Sequence, residues 1–166
     1  MESGSAFEDV LSANQRFAAT YRGGSLEGRA RRGLAILTCM DSRIDPLTML
    51  GLVPGDAKIL RNAGARVSDD VLRTLVLASY LLGVNRVMIV AHTDCRMTIQ
   101  DEGEVHAAIA AAGGPDTRSL SFLTTSNVRE SVSLDVQKVR SFPYLRETRA
   151  AGFIYDLDSG RLEPVE

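Results

Sequence analysis

Tryptophan is absent from this chain, and aromatic residues of every kind make up only 5% of its 166 positions. Platforms on which bases could stack are therefore not expected. An excess of one charge is lacking too: 19 Lys and Arg oppose 21 Asp and Glu, a formal net charge of −2. That balance argues against a nucleic-acid or anionic-membrane surface. No apolar run approaches the roughly 18 residues of a membrane span. No cationic start followed by an apolar stretch marks a signal peptide, so a cytoplasmic location is expected. Cysteine is scarce, with two residues. Without export signals, two thiols read as metal ligands or free thiols before they read as a disulfide.

The rest of the composition is that of an ordinary soluble protein, 45% apolar and 24% charged. Residues 1–166 are expected to form a single domain with a real core. No repeat, low-complexity tract or inter-domain linker interrupts them.

Phe7, Val10, Leu11, Asn14, Phe17, Ala18 and Tyr21 follow helical spacing. They predict an amphipathic helix near 5–21, ended by Gly23-Gly24, within an N-terminal arm of residues 1–25. Leu34 to Thr38 reads as a first strand. Asp45-Pro46 reads as a helix cap with Pro at the first helical position, and Gly51 closes that short helix. Lys58 to Arg61 is a second strand. Ser68 or Asp69 caps a helix over 70–82 that ends at Gly83. Its apolar surface, Val71, Leu72, Leu75, Val76, Leu77, Leu81 and Leu82, is wider than one stripe. It should be buried in the core or in a subunit interface.

Val87 to Ala91 is a continuous apolar run, the pattern of a parallel strand covered on both faces. Helices are expected near 103–112 and 127–141. Phe153 to Leu157, a turn at Asp158-Ser159-Gly160, and Arg161-Leu162 read as a terminal hairpin or edge strand. The alternation predicts an α/β fold, a mainly parallel sheet flanked by helices with right-handed crossovers.

Two clusters follow the apolar strands: Cys39-Met40-Asp41-Ser42-Arg43 and His92-Thr93-Asp94-Cys95. In such sheets functional groups gather beyond the carboxyl ends of strands. Cys39, His92 and Cys95 together are a borderline-soft ligand set that suits Zn²⁺. Three protein ligands leave a fourth position, for water or for the Asp41 carboxylate. A buried cysteine is often only a small hydrophobe. Both cysteines and a histidine at neighbouring strand ends outweigh that reading. A structural zinc site would want paired Cys-x-x-Cys spacing, which is missing. Arg43 can hold Asp41 by paired hydrogen bonds. Asp41 can then accept a proton from metal-bound water, or bind the metal itself. Asp94 is expected to satisfy backbone groups of its turn. His106 reads as a solvated helix-face residue, with a proton relay as the alternative.

Cys-x-Asp-x-Arg followed some fifty residues later by His-x-x-Cys resembles the β-class carbonic anhydrases. Arg61-Asn62-Ala63-Gly64, the segment Asp69 to Leu75 with Leu81-Leu82-Gly83, and Val128-Arg129 through Phe142 are similar to further family segments. The resemblance covers residues 30–157. It implies a parallel-sheet α/β fold, one Zn²⁺ per chain, and reversible hydration of carbon dioxide to bicarbonate. By the match Cys39, His92 and Cys95 ligate zinc, and Asp41 with Arg43 is the catalytic dyad. It also implies a homodimer or larger assembly, with the N-terminal arm packed on the partner subunit. Some short members hydrolyse carbonyl sulfide or carbon disulfide on the same site. A silent zinc-binding homologue, its site closed by Asp41 and blocked by Arg96, is the remaining alternative. Arg96 stands where the family has glycine. It is expected to point to solvent, where it would form a surface ion pair.

Overall fold

The computed structural model describes residues 5–23, 26–98 and 101–166. The ends of the predicted N-terminal arm, including Gly24, lie outside the described residues. The first apolar run forms β1, Leu34–Cys39, buried along its whole length. A strand buried on both faces needs neighbours on both edges and cover above and below. Its neighbours are β2, Ala57–Asn62, and β3, Arg86–His92, both parallel to it. Next to β3 lies β4, Arg149–Tyr155, also parallel. At the edge β5, Leu162–Val165, runs antiparallel to β4. The order β2-β1-β3-β4-β5 is the mainly parallel sheet with a terminal hairpin that the sequence predicts.

Among the described residues there are four α-helices, α1 (Glu8–Thr20), α2 (Asp69–Leu81), α3 (Gly103–Ala111) and α4 (Val128–Ser141), of which α2 and α4 contribute buried residues to the core of the sheet. Ser68 caps α2, its side chain accepting the Val71 N–H at 3.4 Å. Asn127 caps α4 in the same way, accepting from Glu130 at 3.2 Å. Leu75 of α2 and Val139 of α4 share one apolar cluster with Leu37 and Ile89 of the sheet. The opposite face carries a smaller cluster around Ile36 and Val90. It is covered by the segment from Leu47 to Leu52 rather than by a long helix.

Two local readings need correction. The short helix after Asp45-Pro46 is only a 3₁₀ turn, Thr48–Leu50. The cap itself forms, Asp45 accepting the N–H groups of Leu47 and Thr48 at 3.1 and 3.3 Å. Gly51, left-handed at φ 62°, then stops the chain before an α-helical ladder can propagate. Strand β4 begins at Arg149, not Phe153, because pairing with β3 extends order through a small-residue stretch of weak strand propensity. Gly152 fits there because α4 packs against it: an added Cβ would lie 2.4 Å from the Val132 side chain. The apolar surface of α2 divides between the core and the outside of the single chain. Val71, Leu72, Leu75 and Ala78 are buried, but Leu77, Tyr80 and Leu81 face outward.

Candidate metal centre

Parallel pairing of β1 with β3 sets Thr38 beside Val90, so both strands finish at one edge of the sheet. Cys39 is the last residue of β1 and His92 the last of β3. Cys95 returns from the turn that follows. The ligand atoms of these three residues lie within 4.8 Å of one another. The two Sγ atoms are 4.0 Å apart and both thiols are free. That separation is about twice an S–S bond.

His92 is 1% exposed. Its Nδ1 lies 2.7 Å from the carbonyl oxygen of Thr93. A carbonyl can only accept, so Nδ1 carries the proton and Nε2 presents a lone pair. Nε2 is buried and has no hydrogen-bond partner among the described residues. Leaving a buried nitrogen unpaired costs free energy. A cation among the three atoms supplies the missing partner, and the donor set matches Zn²⁺. Burial pushes the Cys95 thiol up to about 11; the neighbouring Cys39 adds to the effect against an opposing Met97 backbone hydrogen bond. A bound cation inverts that tendency and favours the thiolate.

Asp41 stands beside this cluster, with Oδ2 3.9 Å from His92 Nε2. Its carboxylate is engaged with Arg43. Oδ1 accepts the Arg43 backbone N–H at 2.9 Å and Nε at 3.0 Å, and Oδ2 accepts Nη2 at 2.7 Å. These bonds hold the Asp41 carboxyl well below the usual carboxylate range. Asp41, followed by Asp94, pushes the Arg43 guanidinium up.

Sequence reasoning missed two contributions. The Asp94 carboxylate does not serve its own turn. Its left-handed backbone, φ 53°, turns it to Arg43, whose Nη1 donates to Oδ2 at 2.8 Å. The second is Arg61 of β2, which donates to the Cys39 carbonyl at the end of β1 at 2.9 Å and, in the loop that follows, to those of Ile44 at 3.1 Å and Asp41 at 2.6 Å. Its place opposite Thr38 was the available signal, but only once strand order is known.

Gly64 backs the second cluster. Its φ of 77° and its approach to Met97, 3.2 Å from an added Cβ, leave no comfortable place for a side chain. Arg96 is exposed as expected, but its guanidinium makes no ion pair among the described residues. His106 is half-buried, not solvated; Nδ1 meets the Thr117 hydroxyl at 2.9 Å and the ring packs on Phe122. The cavity it lines contains none of the three ligand residues. A separate cavity of about 450 Å³ opens at His92 and Cys95, with Val128 and Ile154 on its wall.

Residues 34–162 match a family model described as carbonic anhydrase. Beta-carbonic anhydrase 1 of Mycobacterium tuberculosis is 31% identical over 169 residues, spanning 95% of this chain and 96% of that protein. A carbon disulfide hydrolase of Saccharolobus solfataricus is 46% identical over 66 residues, 40% of this chain and 32% of that protein. The crystal structure of a carbonic anhydrase from Streptococcus mutans superposes with a TM-score of 0.90 at 34% identity, over 100% of this chain and 99% of that one.

Proposed function

The chain belongs to the β-carbonic anhydrase family, and from that premise we propose that Asp41 and Arg43 are its catalytic pair. The reaction is the zinc-dependent, reversible hydration of carbon dioxide to bicarbonate. Cys39, His92 and Cys95 would hold the zinc. When bound, zinc lowers the pKa of a water from about 15.7 toward 7 and makes hydroxide available near neutral pH. The single observation that carries the reading is the buried, unpartnered Nε2 of His92 beside two free thiols.

The remaining work falls to the chain's own residues. Arg43 keeps Asp41 ionised across the neutral range, so Oδ2, 3.9 Å from His92 Nε2, stays a hydrogen-bond acceptor beside the ligand set. The same two-point grip orients the carboxylate. Val128 and Ile154 make part of the adjoining cavity apolar, which suits a small uncharged substrate.

A hydrolase of carbon disulfide or carbonyl sulfide would use the same ligand set. Its support is the match over 40% of the chain. A silent homologue would need Asp41 on the metal and Arg96 across the cavity. Asp41 instead sits on Arg43, and Arg96 is exposed. Hydration of carbon dioxide, followed by stopped flow beside carbonyl sulfide and carbon disulfide assays, separates the three readings. Asp41→Ala should keep zinc and lose most carbon dioxide turnover.

We also propose that the chain, one domain over 1–166, works as a homodimer or larger assembly. Phe7, Val10, Leu11, Phe17 and Tyr21 of the N-terminal arm are each more than half exposed in the single chain. No residue of α1 is buried. Packing that face on a partner subunit removes it from water. We place the protein in the cytoplasm, a reading supported by the two free thiols.

A further inference from the structure

Arg43 is tied at two ends. Nε and Nη2 hold Asp41, in the loop after β1, at 3.0 and 2.7 Å. Nη1 donates to the Asp94 carboxylate at 2.8 Å, and Nη2 also reaches the Asp94 carbonyl at 3.1 Å. Asp94 lies in the loop after β3, between two metal ligands. One guanidinium therefore spans the two ligand-bearing loops.

The Asp94 side chain is 82% exposed, and an exposed ion pair alone contributes little to stability. Here the pair does something else. Asp41 Oδ2 is 3.9 Å from His92 Nε2, so a small rotation would carry it into the ligand set. Among the described residues, Arg43 alone hydrogen-bonds the Asp41 carboxylate. Arg43 is itself long and half exposed, and an arginine held at one end keeps most of its rotamers. Asp94 supplies the second anchor. Its left-handed backbone presents the carbonyl and the carboxylate to the same guanidinium. Aspartate tolerates that conformation better than most residues.

We propose that Asp94 is a positioning residue that acts through Arg43: it keeps Asp41 turned away from the metal and the fourth position open to water and small anions. The proposal rests on Asp41 and Arg43 being the catalytic pair. Asp94 touches neither substrate nor metal in this role.

The test uses the full chain with Co²⁺ in place of zinc and azide as the probe, followed by the visible spectrum. Asp94→Gly removes the carboxylate without straining the left-handed backbone. It should weaken azide binding about tenfold or more, because Asp41 then occupies the open position. Asp94→Asn keeps an acceptor for Nη1 and should recover most of that loss. In an Asp41→Ala background, Asp94→Gly should have no further effect on azide. Metal content should stay at one per chain throughout, by elemental analysis.

A smaller loss in Asp94→Gly overturns the proposal, as would tighter azide binding, which would mean that an undivided Arg43 holds Asp41 more firmly. An equal loss in the Asp41→Ala background, or a fall in metal content, overturns it too by assigning Asp94 a different role. The underlying reading is tested apart from this. If Asp41→Ala hydrates carbon dioxide as fast as the parent, the catalytic pair is wrong whatever azide does.

Discussion

The Nε of Arg61 donates to the carbonyl oxygen of Cys39 at 2.9 Å, joining the penultimate pair of β2 to the metal-ligand end of β1. The same guanidinium holds the carbonyls of Asp41 and Ile44. A ligand loop has no ladder of its own, so its backbone acceptors must be met from elsewhere. Arg61 meets three of them with one side chain.

Arg61→Ala should therefore loosen the Cys39–Asp41 loop. Bonds from a charged donor are worth about 1.5 to 3 kcal/mol, and denaturant unfolding should show a loss of that order. Zinc retention under chelator challenge should fall about tenfold or more. Arg61→Lys offers a single point donor and should recover only part of this. Unchanged stability and zinc retention in Arg61→Ala would show that water replaces the guanidinium without cost.

Zinc content tests the centre itself. Protein purified without added metal should contain about one zinc per chain. Cys39→Ser, His92→Ala and Cys95→Ser should each lose it. The pH dependence has a definite sign. Burial raises the Cys95 thiol to about 11 in the metal-free chain, so at neutral pH it is protonated. Zinc takes the thiolate and must displace that proton. Affinity should thus rise with pH, by about tenfold per unit for each proton displaced. Competition with a chelator across pH 6 to 8 measures the slope. A flat profile would mean that Cys95 is not a ligand.

Much of this was legible in the sequence for a plain reason. Val87 to Ala91 and Leu34 to Thr38 are continuous apolar runs, and only a strand covered on both faces uses such a run without alternation. Both become strands within a residue of the predicted bounds. The grouping of Cys39, His92 and Cys95 was legible because soft donors are rare in this chain, and both cysteines follow such runs. What stayed hidden depends on contacts between distant segments. The Arg43 bond to Asp94 joins positions that strand order alone makes neighbours. Nothing in Arg149-Ala150-Ala151 says strand until β3 lies alongside. The turn after Asp45 shows the reverse case: the cap chemistry was legible, but the length of the helix was not.

The uncovered arm makes a prediction about assembly. A chain with Phe7, Val10, Leu11, Phe17 and Tyr21 all exposed should not remain alone in water. Sedimentation should show a dimer or larger species at micromolar concentration and no monomer. Leu11→Asp with Phe17→Asp should shift it toward monomer and lower activity. A parent chain that sediments as a stable, active monomer would rule the interface out.

Arg96 gives the last prediction. A permanent positive charge directly after a ligand would matter greatly if it turned inward, where it would draw anions and lower the pKa of metal-bound water. The side chain is exposed, and no carboxylate among the described residues fixes it near the centre. A charge in water is screened within about 10 Å at ordinary salt, and its influence on the ligand set should be small. Arg96→Gly should keep full zinc and change carbon dioxide hydration less than about tenfold. Inhibition by azide or thiocyanate should weaken slightly at low salt and not at all at high salt. A rate gain well beyond tenfold, with anion inhibition reduced at every salt concentration, would show that Arg96 folds over the cavity in solution. That result would also give this residue a role in choosing among small heterocumulene substrates, because a narrowed cavity penalises carbon disulfide, with its larger sulfur atoms, before carbon dioxide.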